Sequence, residues 1–454
     1  IEVNPDALAI AAALDEERDQ GKLRGPLHGI PVIIKDNIAT ADRMTTTAGS
    51  LALEGSIAPQ DSTVAARLRA AGAVILAKAN LSEWANFRSS HSISGWSSRG
   101  GQTRNPYALD RSPCGSSSGS AVAVAANLCS VAVGTETDGS IICPSHINGI
   151  VGIKPTLGLI SRAGIIPIAH SQDTAGPMGR SVADAATLLG ALTGADPRDP
   201  DSAAGEGKAL RDYTPFLGQP VQGLRVGVAR NFFDINPKVV ALIENGLKAL
   251  QSLGVVLVDP VDLDADTRLA EAKTELEVLL YEFKADLNAY LASLGPDAPV
   301  HSMEEVIAFN EKNRERVMPY FGQERMIQAQ AKGPLTEDAY LKALATDRRL
   351  TREEGIDKVL KAHDLQAIVA PSGDPAWLVD FVNGDAPGGS CTSPAAVAGY
   401  PHITVPAGMV YGLPVGISFF GAAWSEATLI RLADAFERAT QARSAPGYLP
   451  AVNP

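Results

Sequence analysis

Cysteine is scarce in this chain: Cys114, Cys129, Cys143 and Cys391 stand alone, with no Cys-x-x-Cys step and no spacing that suits a metal. That argues against a disulfide framework and against a structural zinc site. Positive charge is also short, with 39 Lys and Arg against 51 Asp and Glu for a net charge of −12, and no basic block occurs. This argues against a dedicated nucleic-acid surface and an anionic-membrane anchor, while small neutral substrates stay open. No apolar run reaches the roughly 18 residues of a spanning helix. The longest candidate, 121–133, is interrupted by Asn127 and Ser130 and reads as buried packing. Neither an internal repeat nor a low-complexity tract is found. The chain begins at Ile1 without Met or a signal peptide, as a mature or trimmed soluble product does, which leaves cytoplasm and periplasm equally open.

What is present describes an ordinary globular protein: 45% apolar and 20% charged residues, enough for a sizeable core. Short apolar strands at 32–34, 73–78, 149–155, 158–162, 224–229, 255–258, 367–371 and 402–406 are spaced by helical stretches. Helices are predicted over 4–18, from a Ser62 cap to Gly72, and at 81–87, 181–192, 237–253 and 426–442. This alternation predicts an α/β fold: a single large mixed, mostly parallel sheet covered by helices on both faces. Residues 89–110 and 194–222 read as connections. Residues 265–363 turn helical and highly charged, with pairs such as Glu304/Glu305 and Arg348/Arg349, the composition of solvated helix faces.

Two Gly/Ser-rich loops bracket the 121–133 segment, and they carry the chemistry. The first is Ser112-Pro-Cys-Gly-Ser-Ser-Ser-Gly-Ser120 and the second Gly134-Thr-Glu-Thr-Asp-Gly-Ser140. Small residues let backbone approach a ligand and leave N–H groups free for developing negative charge. Gly115-Ser-Ser-Ser-Gly119 formally matches Gly-x-Ser-x-Gly, which nominates Ser117 as a nucleophile. That motif needs a strand immediately before it, and 105–113 is a loop. It also needs a later acid and His, for which His402 beside Pro401 is a weak candidate; the seven histidines otherwise read as structural. The Gly-Lys-Ser/Thr ending of a phosphate loop is absent. A base other than His is therefore required, and a neutral lysine serves if burial lowers its pKa. Lys35, Lys78 and Lys154 each follow a short strand, and periodicity does not choose among them; the bland reading of each is a lysine snorkelling from a strand end.

Gly115-Ser-Ser-Ser-Gly-Ser120 followed by Thr137-Asp-Gly-Ser-Ile141 resembles the signature of the amidase-signature family. Gly29-Ile-Pro-Val-Ile-Ile-Lys-Asp36, Val151-Gly-Ile-Lys-Pro-Thr156, Asp173-Thr-Ala-Gly-Pro177 and Gly399-Tyr-Pro-His-Ile-Thr-Val-Pro406 extend the resemblance over almost the whole chain. Asn80-Leu-Ser-Glu-Trp-Ala-Asn-Phe-Arg88 and Gly100-Gly-Gln-Thr-Arg-Asn-Pro-Tyr107 are most similar to the branch that hydrolyses peptide amides.

The resemblance implies one catalytic domain over 1–454 with the amidase-signature fold, in which 265–363 flanks the substrate pocket. It implies a Ser–cis-Ser–Lys triad: Ser140 as nucleophile, Ser116 as relay and Lys35 as base, with Lys78 and Lys154 returned to structural roles. The backbone N–H groups of Thr137, Asp138 and Gly139 are expected to form the oxyanion hole. Ser117, Cys143, Trp377 and Phe381 are expected to border the substrate. No metal or organic cofactor is implied, and a monomer is expected. Many relatives read Gly-Gly-Ser-Ile-Arg, where this chain has Asp138-Gly-Ser-Ile-Ile-Cys143. A substrate carboxylate then lacks a bidentate partner. C-terminal carboxamides of peptides are the expected substrates. The alternatives are an aryl-acylamide or aliphatic amidase and a tRNA-dependent amidotransferase subunit.

Overall fold

The computed structural model describes residues 1–452. Eleven strands form one sheet: β1 (Glu2–Val3), β2 (Pro31–Lys35), β3 (Val74–Ala79), β4 (Val131–Glu136), β5 (Val151–Lys154), β6 (Thr174–Gly179), β7 (Arg225–Ala229), β8 (Val256–Val261), β9 (Ala367–Pro371), β10 (His402–Val410) and β11 (Leu413–Phe420). Their spatial order is β1-β3-β2-β4-β6-β5-β10-β11-β9-β7-β8. β2 runs parallel to β3 and β4, and β7 parallel to β8 and β9; the other neighbours are antiparallel. The mixed character thus comes from the middle of the sheet, where β6, β5, β10 and β11 reverse direction.

Helices cover both faces, and the two-residue period of the strands sorts their side chains. Val32, Ile34, Val131 and Val133 face a core built with α2 (Thr63–Ala70), α5 (Val182–Leu192), α6 (Pro237–Ser252) and the helix Glu426–Thr440. Ile33 and Ala132 point the other way, against α3 (Ser118–Ala125). With both faces buried, strands 32–34 and 131–133 are continuously apolar. Ser62 caps α2, its hydroxyl accepting from the Ala65 N–H.

Several elements differ from the sequence expectation. The first helix, α1, spans Ala7–Asp19, because Asn4 is buried and donates its amide to the Ile75 carbonyl at 2.7 Å, docking 4–6 onto β3. Residues 81–87 form only a 3₁₀ turn at Glu83–Asn86, interrupted by left-handed Trp84 and Ala85. Residues 158–162 are a turn. Three inner strands go beyond that expectation: β4, which the sequence merges into the 121–133 packing segment, β11, and β6, Thr-Ala-Gly-Pro-Met-Gly, whose small residues hide it from any β-propensity reading. They are required sterically: a Cβ on Gly176 would lie 2.1 Å from the Ile153 carbonyl oxygen. β11 pairs with β10 through Tyr411–Gly412, both at positive φ, as a tight two-residue hairpin demands.

The charged region 265–363 is helical, and its longest helix, Thr274–Ser293, packs Leu280, Phe283 and Leu287 with Ala48, Ile166 and Ile168 beside the sheet. Among the described residues no helix is long and apolar enough to cross a membrane.

Candidate active site

Lys35 ends β2 with its side chain fully buried. Its ammonium nitrogen lies 2.7 Å from Ser116 Oγ, 2.8 Å from Thr135 Oγ1 and 3.2 Å from the Thr135 carbonyl. Asn37 donates to the same Thr135 hydroxyl at 3.0 Å and fixes it. All three acceptors are neutral, and burial pulls the lysine pKa down to about 7, with Asp173 and Glu136 opposing the shift.

Burial alone does not single out this lysine. Lys78 and Lys154 are fully buried too, which corrects the expectation that they snorkel. Burial lowers both to about 8. Lys78 donates to the Ile38 carbonyl and Thr46 Oγ1, both at 2.7 Å, and Lys154 to the Pro155 carbonyl at 3.2 Å. Of the three, Lys35 contacts a serine of the bracket.

The first loop folds over the end of β4. The Gly115–Ser116 peptide bond is cis. Gly115 is needed because a Cβ there would meet Ser82 Oγ at 2.2 Å, and the Ser116 carbonyl accepts from the Ser82 N–H at 3.2 Å. The Ser117 hydroxyl donates to the Thr135 carbonyl (2.9 Å) and accepts from the Thr135 N–H (3.1 Å). It stitches the loop to the strand, and its one O–H donor is spent there. The strand-first context of a Gly-x-Ser-x-Gly nucleophile is absent.

The second loop follows β4. Gly139, at φ +74°, turns the chain so that Ser140 precedes α4 (Ile142–Ile147). The Glu136 carboxylate caps that helix, accepting from the Ile141 and Ile142 N–H groups at 2.7 and 3.0 Å. The backbone N–H groups of Thr137, Asp138 and Gly139 have no protein acceptor among the described residues. Ser140 is 8% exposed whereas Ser116 is fully buried. The loops meet where the Ser117 N–H donates to the Ser140 carbonyl at 3.2 Å.

Cys114 and Cys143 form a disulfide, so the expectation of unpaired cysteines fails for this pair, and Cys143 offers no thiol to a substrate. Folding brings the two loops together, and sequence separation carries no trace of that. Cys129 and Cys391 are free and buried.

Acidic groups surround the 137–140 turn. Asp173 accepts from Thr137 Oγ1 at 2.6 Å and from the Ile168 and Ala169 N–H groups, and burial raises it to about 6. Burial raises Asp138 as well, and its Oδ1 is buried without a partner. Gln172 donates to both the Thr137 carbonyl and Glu275, tying the turn to the helix Thr274–Ser293. A cavity lined by Asn37, Thr135, Thr137, Asp173, Ile166 and Ile168 adjoins the groups that hold Lys35.

Trp377 and Phe381 border two different cavities. Trp377 packs against the disulfide and donates to Asp385 at 3.0 Å. Phe381 stacks on Tyr320 with centroids 4.3 Å apart. His146 and His402 are fully buried, and burial lowers both to about 3, keeping them neutral.

One cluster has metal-ligand atoms close together: His170, Glu282 and Asp286. Each ring nitrogen of His170 faces a different carboxylate, Asp286 at 2.8 Å and Glu282 at 3.4 Å. Glu282 also accepts from Tyr340 and the Ser171 N–H. This is the geometry of an ion-pair clamp rather than a chelate.

The two stitched serine loops and the buried Lys35 all lie within the residues that a family model matches. The amidase family model matches residues 1–430, and the chain belongs to the amidase-signature family. It is 43% identical to a probable amidase of Arabidopsis thaliana over 99% of this chain and 84% of that one. A glutamyl-tRNA(Gln) amidotransferase subunit of Chloroflexus aurantiacus is 37% identical over 97% and 89%. The crystal structure of native peptide amidase from Stenotrophomonas maltophilia superposes with a TM-score of 0.93 at 53% identity, covering 98% of this chain and 90% of that one. The chain is thus an amidase-signature hydrolase with a close structural match to peptide amidase.

Proposed function

We propose that this protein hydrolyses the C-terminal carboxamides of peptides, releasing ammonia through an acyl-enzyme on Ser140. The observation that carries the reading is the 2.7 Å contact between Lys35 Nζ and Ser116 Oγ, on a loop hydrogen-bonded to Ser140. In its neutral form Lys35 accepts the Ser116 proton as Ser116 takes that of Ser140. A hydroxyl both donates and accepts, so Ser116 can bridge two groups. Ser140 Oγ attacks the amide carbonyl, and the N–H groups of Thr137, Asp138 and Gly139 stabilise the oxyanion. The C–N bond breaks, and the proton returns through Ser116 to the leaving nitrogen as ammonia departs. Water repeats the sequence on the acyl-enzyme and frees the peptide acid. No step requires a metal or an organic cofactor.

Ile142 and the disulfide-bonded Cys143 offer no charge to a substrate carboxylate, which supports a neutral carboxamide over a dicarboxylic monoamide or free glutamine. The 53% identity to peptide amidase supports the peptide class. The whole chain acts in this reading as one catalytic domain and as a monomer, with 265–363 closing over the nucleophile turn through Gln172 and Glu275.

The test is ammonia release from a dipeptide amide against amine release from an anilide, by the isolated chain, with Ser140→Ala as control. Rapid ammonia release that the variant abolishes is expected. Faster anilide cleavage, or dependence on further protein components, contradicts the reading.

A further inference from the structure

The Cys114–Cys143 disulfide joins the two serine loops covalently. Cys114 lies two residues before Ser116 and Cys143 three after Ser140; their Cα atoms are 6.1 Å apart across 29 residues of sequence. Each half is hydrogen-bonded into its own loop. The Cys114 N–H donates to Ser112 Oγ at 3.1 Å, and its carbonyl accepts from the Ser118 hydroxyl at the start of α3. The Cys143 N–H donates to the Gly139 carbonyl at 2.8 Å, inside the turn that presents Ser140. Displacement of either sulfur is therefore transmitted to the serine beside it. The direct non-covalent tie between Ser140 and the first loop is a single 3.2 Å bond, from the Ser117 N–H to the Ser140 carbonyl. Tyr107, Ile147 and Trp377 pack around the bridge.

We propose that this disulfide is a positioning element of the active site: it sets the separation between Ser116 and Ser140, so that reducing it lowers turnover while the fold persists. The inference rests on reading these serines as relay and nucleophile. Proton transfer between them needs the oxygens within about 2.6–3.2 Å, and a misplacement of about 1 Å can cost about 10²-fold in rate. A dithiol opens the bond by thiol–disulfide exchange: it transfers two electrons and two protons, leaves two cysteine thiols, and departs as its own cyclic disulfide. A bridge that served only to restrict the unfolded chain would change the unfolding midpoint and leave kcat of the folded enzyme alone.

The experiment treats the native protein with dithiothreitol, then measures free thiols, far-UV circular dichroism, kcat and KM on a peptide amide. Reduction adds two thiols to Cys129 and Cys391. The expected result is a fall in kcat of about tenfold or more, with KM changed less than about threefold. Circular dichroism stays unchanged, and reoxidation with oxidised glutathione restores kcat. Cys129→Ser responds identically, since that thiol is remote from the serines. If dithiothreitol fails to open the bond, the double variant Cys114→Ser/Cys143→Ser supplies the same readout. A fully reduced enzyme or double variant with undiminished kcat overturns the inference, as does activity lost only together with the folded signal. An active Ser140→Ala enzyme would instead overturn the assignment of the nucleophile, so the two failures are distinguishable.

Discussion

Lys35 Nζ and Ser116 Oγ are 2.7 Å apart, and no carboxylate pairs with that lysine at salt-bridge distance among the described residues. A fully buried ammonium held by neutral acceptors is destabilised relative to the amine, which is why burial brings its pKa to about 7. The base form then prevails above about pH 7.

The pH profile follows with a definite sign. Protonation removes the base, so kcat/KM on a neutral peptide amide should fall about tenfold per unit as pH drops below about 7, and level off above it. A stopped assay of ammonia release across the acid range checks this. A profile flat down to strongly acidic pH contradicts the lysine's role.

In the proposed relay Lys35 and Ser116 act as one unit, so their substitutions should not add. Ser116→Ala and Lys35→Ala are each expected to lower kcat by about 10²–10⁴. The double variant should be little worse than the poorer single one. Multiplicative losses would mean that the two residues serve separate steps.

Stability depends on the ion pair that anchors the 82–88 turn beneath the helical cover. Arg88 and Glu83 are in contact with both side chains fully buried. Arg88 also donates to the Val317 carbonyl at 2.8 Å and lies 4.3 Å from the Phe321 ring centre. Arg88→Ala leaves the buried Glu83 carboxyl without its ion-pair partner, and should lower the unfolding free energy by about 3–5 kcal/mol. Urea denaturation measures it; a loss under about 1 kcal/mol, the range of exposed pairs, contradicts this.

The sheet is legible in the sequence at strands such as 32–34, which are buried on both faces and so apolar throughout; 131–133 is just as apolar but merges with the end of α3 into one 121–133 packing segment. β6 is concealed, since backbone contact with Ile153 forces glycine and removes the β-branched signal. The serine bracket is visible as composition, and the lysine only as one of three equivalent strand ends; contact with Ser116, a property of the fold, separates Lys35 from Lys78 and Lys154. Glu136, Gln172 and Glu275 support the nucleophile turn with no spacing that announces them. The same holds for the disulfide, since residues 114 and 143 become neighbours only when α3 and β4 are in place.

In the proposed mechanism every catalytic step runs through a covalent intermediate on Ser140. Inactivation with a sulfonyl fluoride followed by peptide mass mapping locates that nucleophile, because the adduct remains on the attacking oxygen. A single adduct on Ser140, absent from Ser140→Ala, is the expected result. An adduct on Ser117 or Ser116 in its place would contradict the assignment.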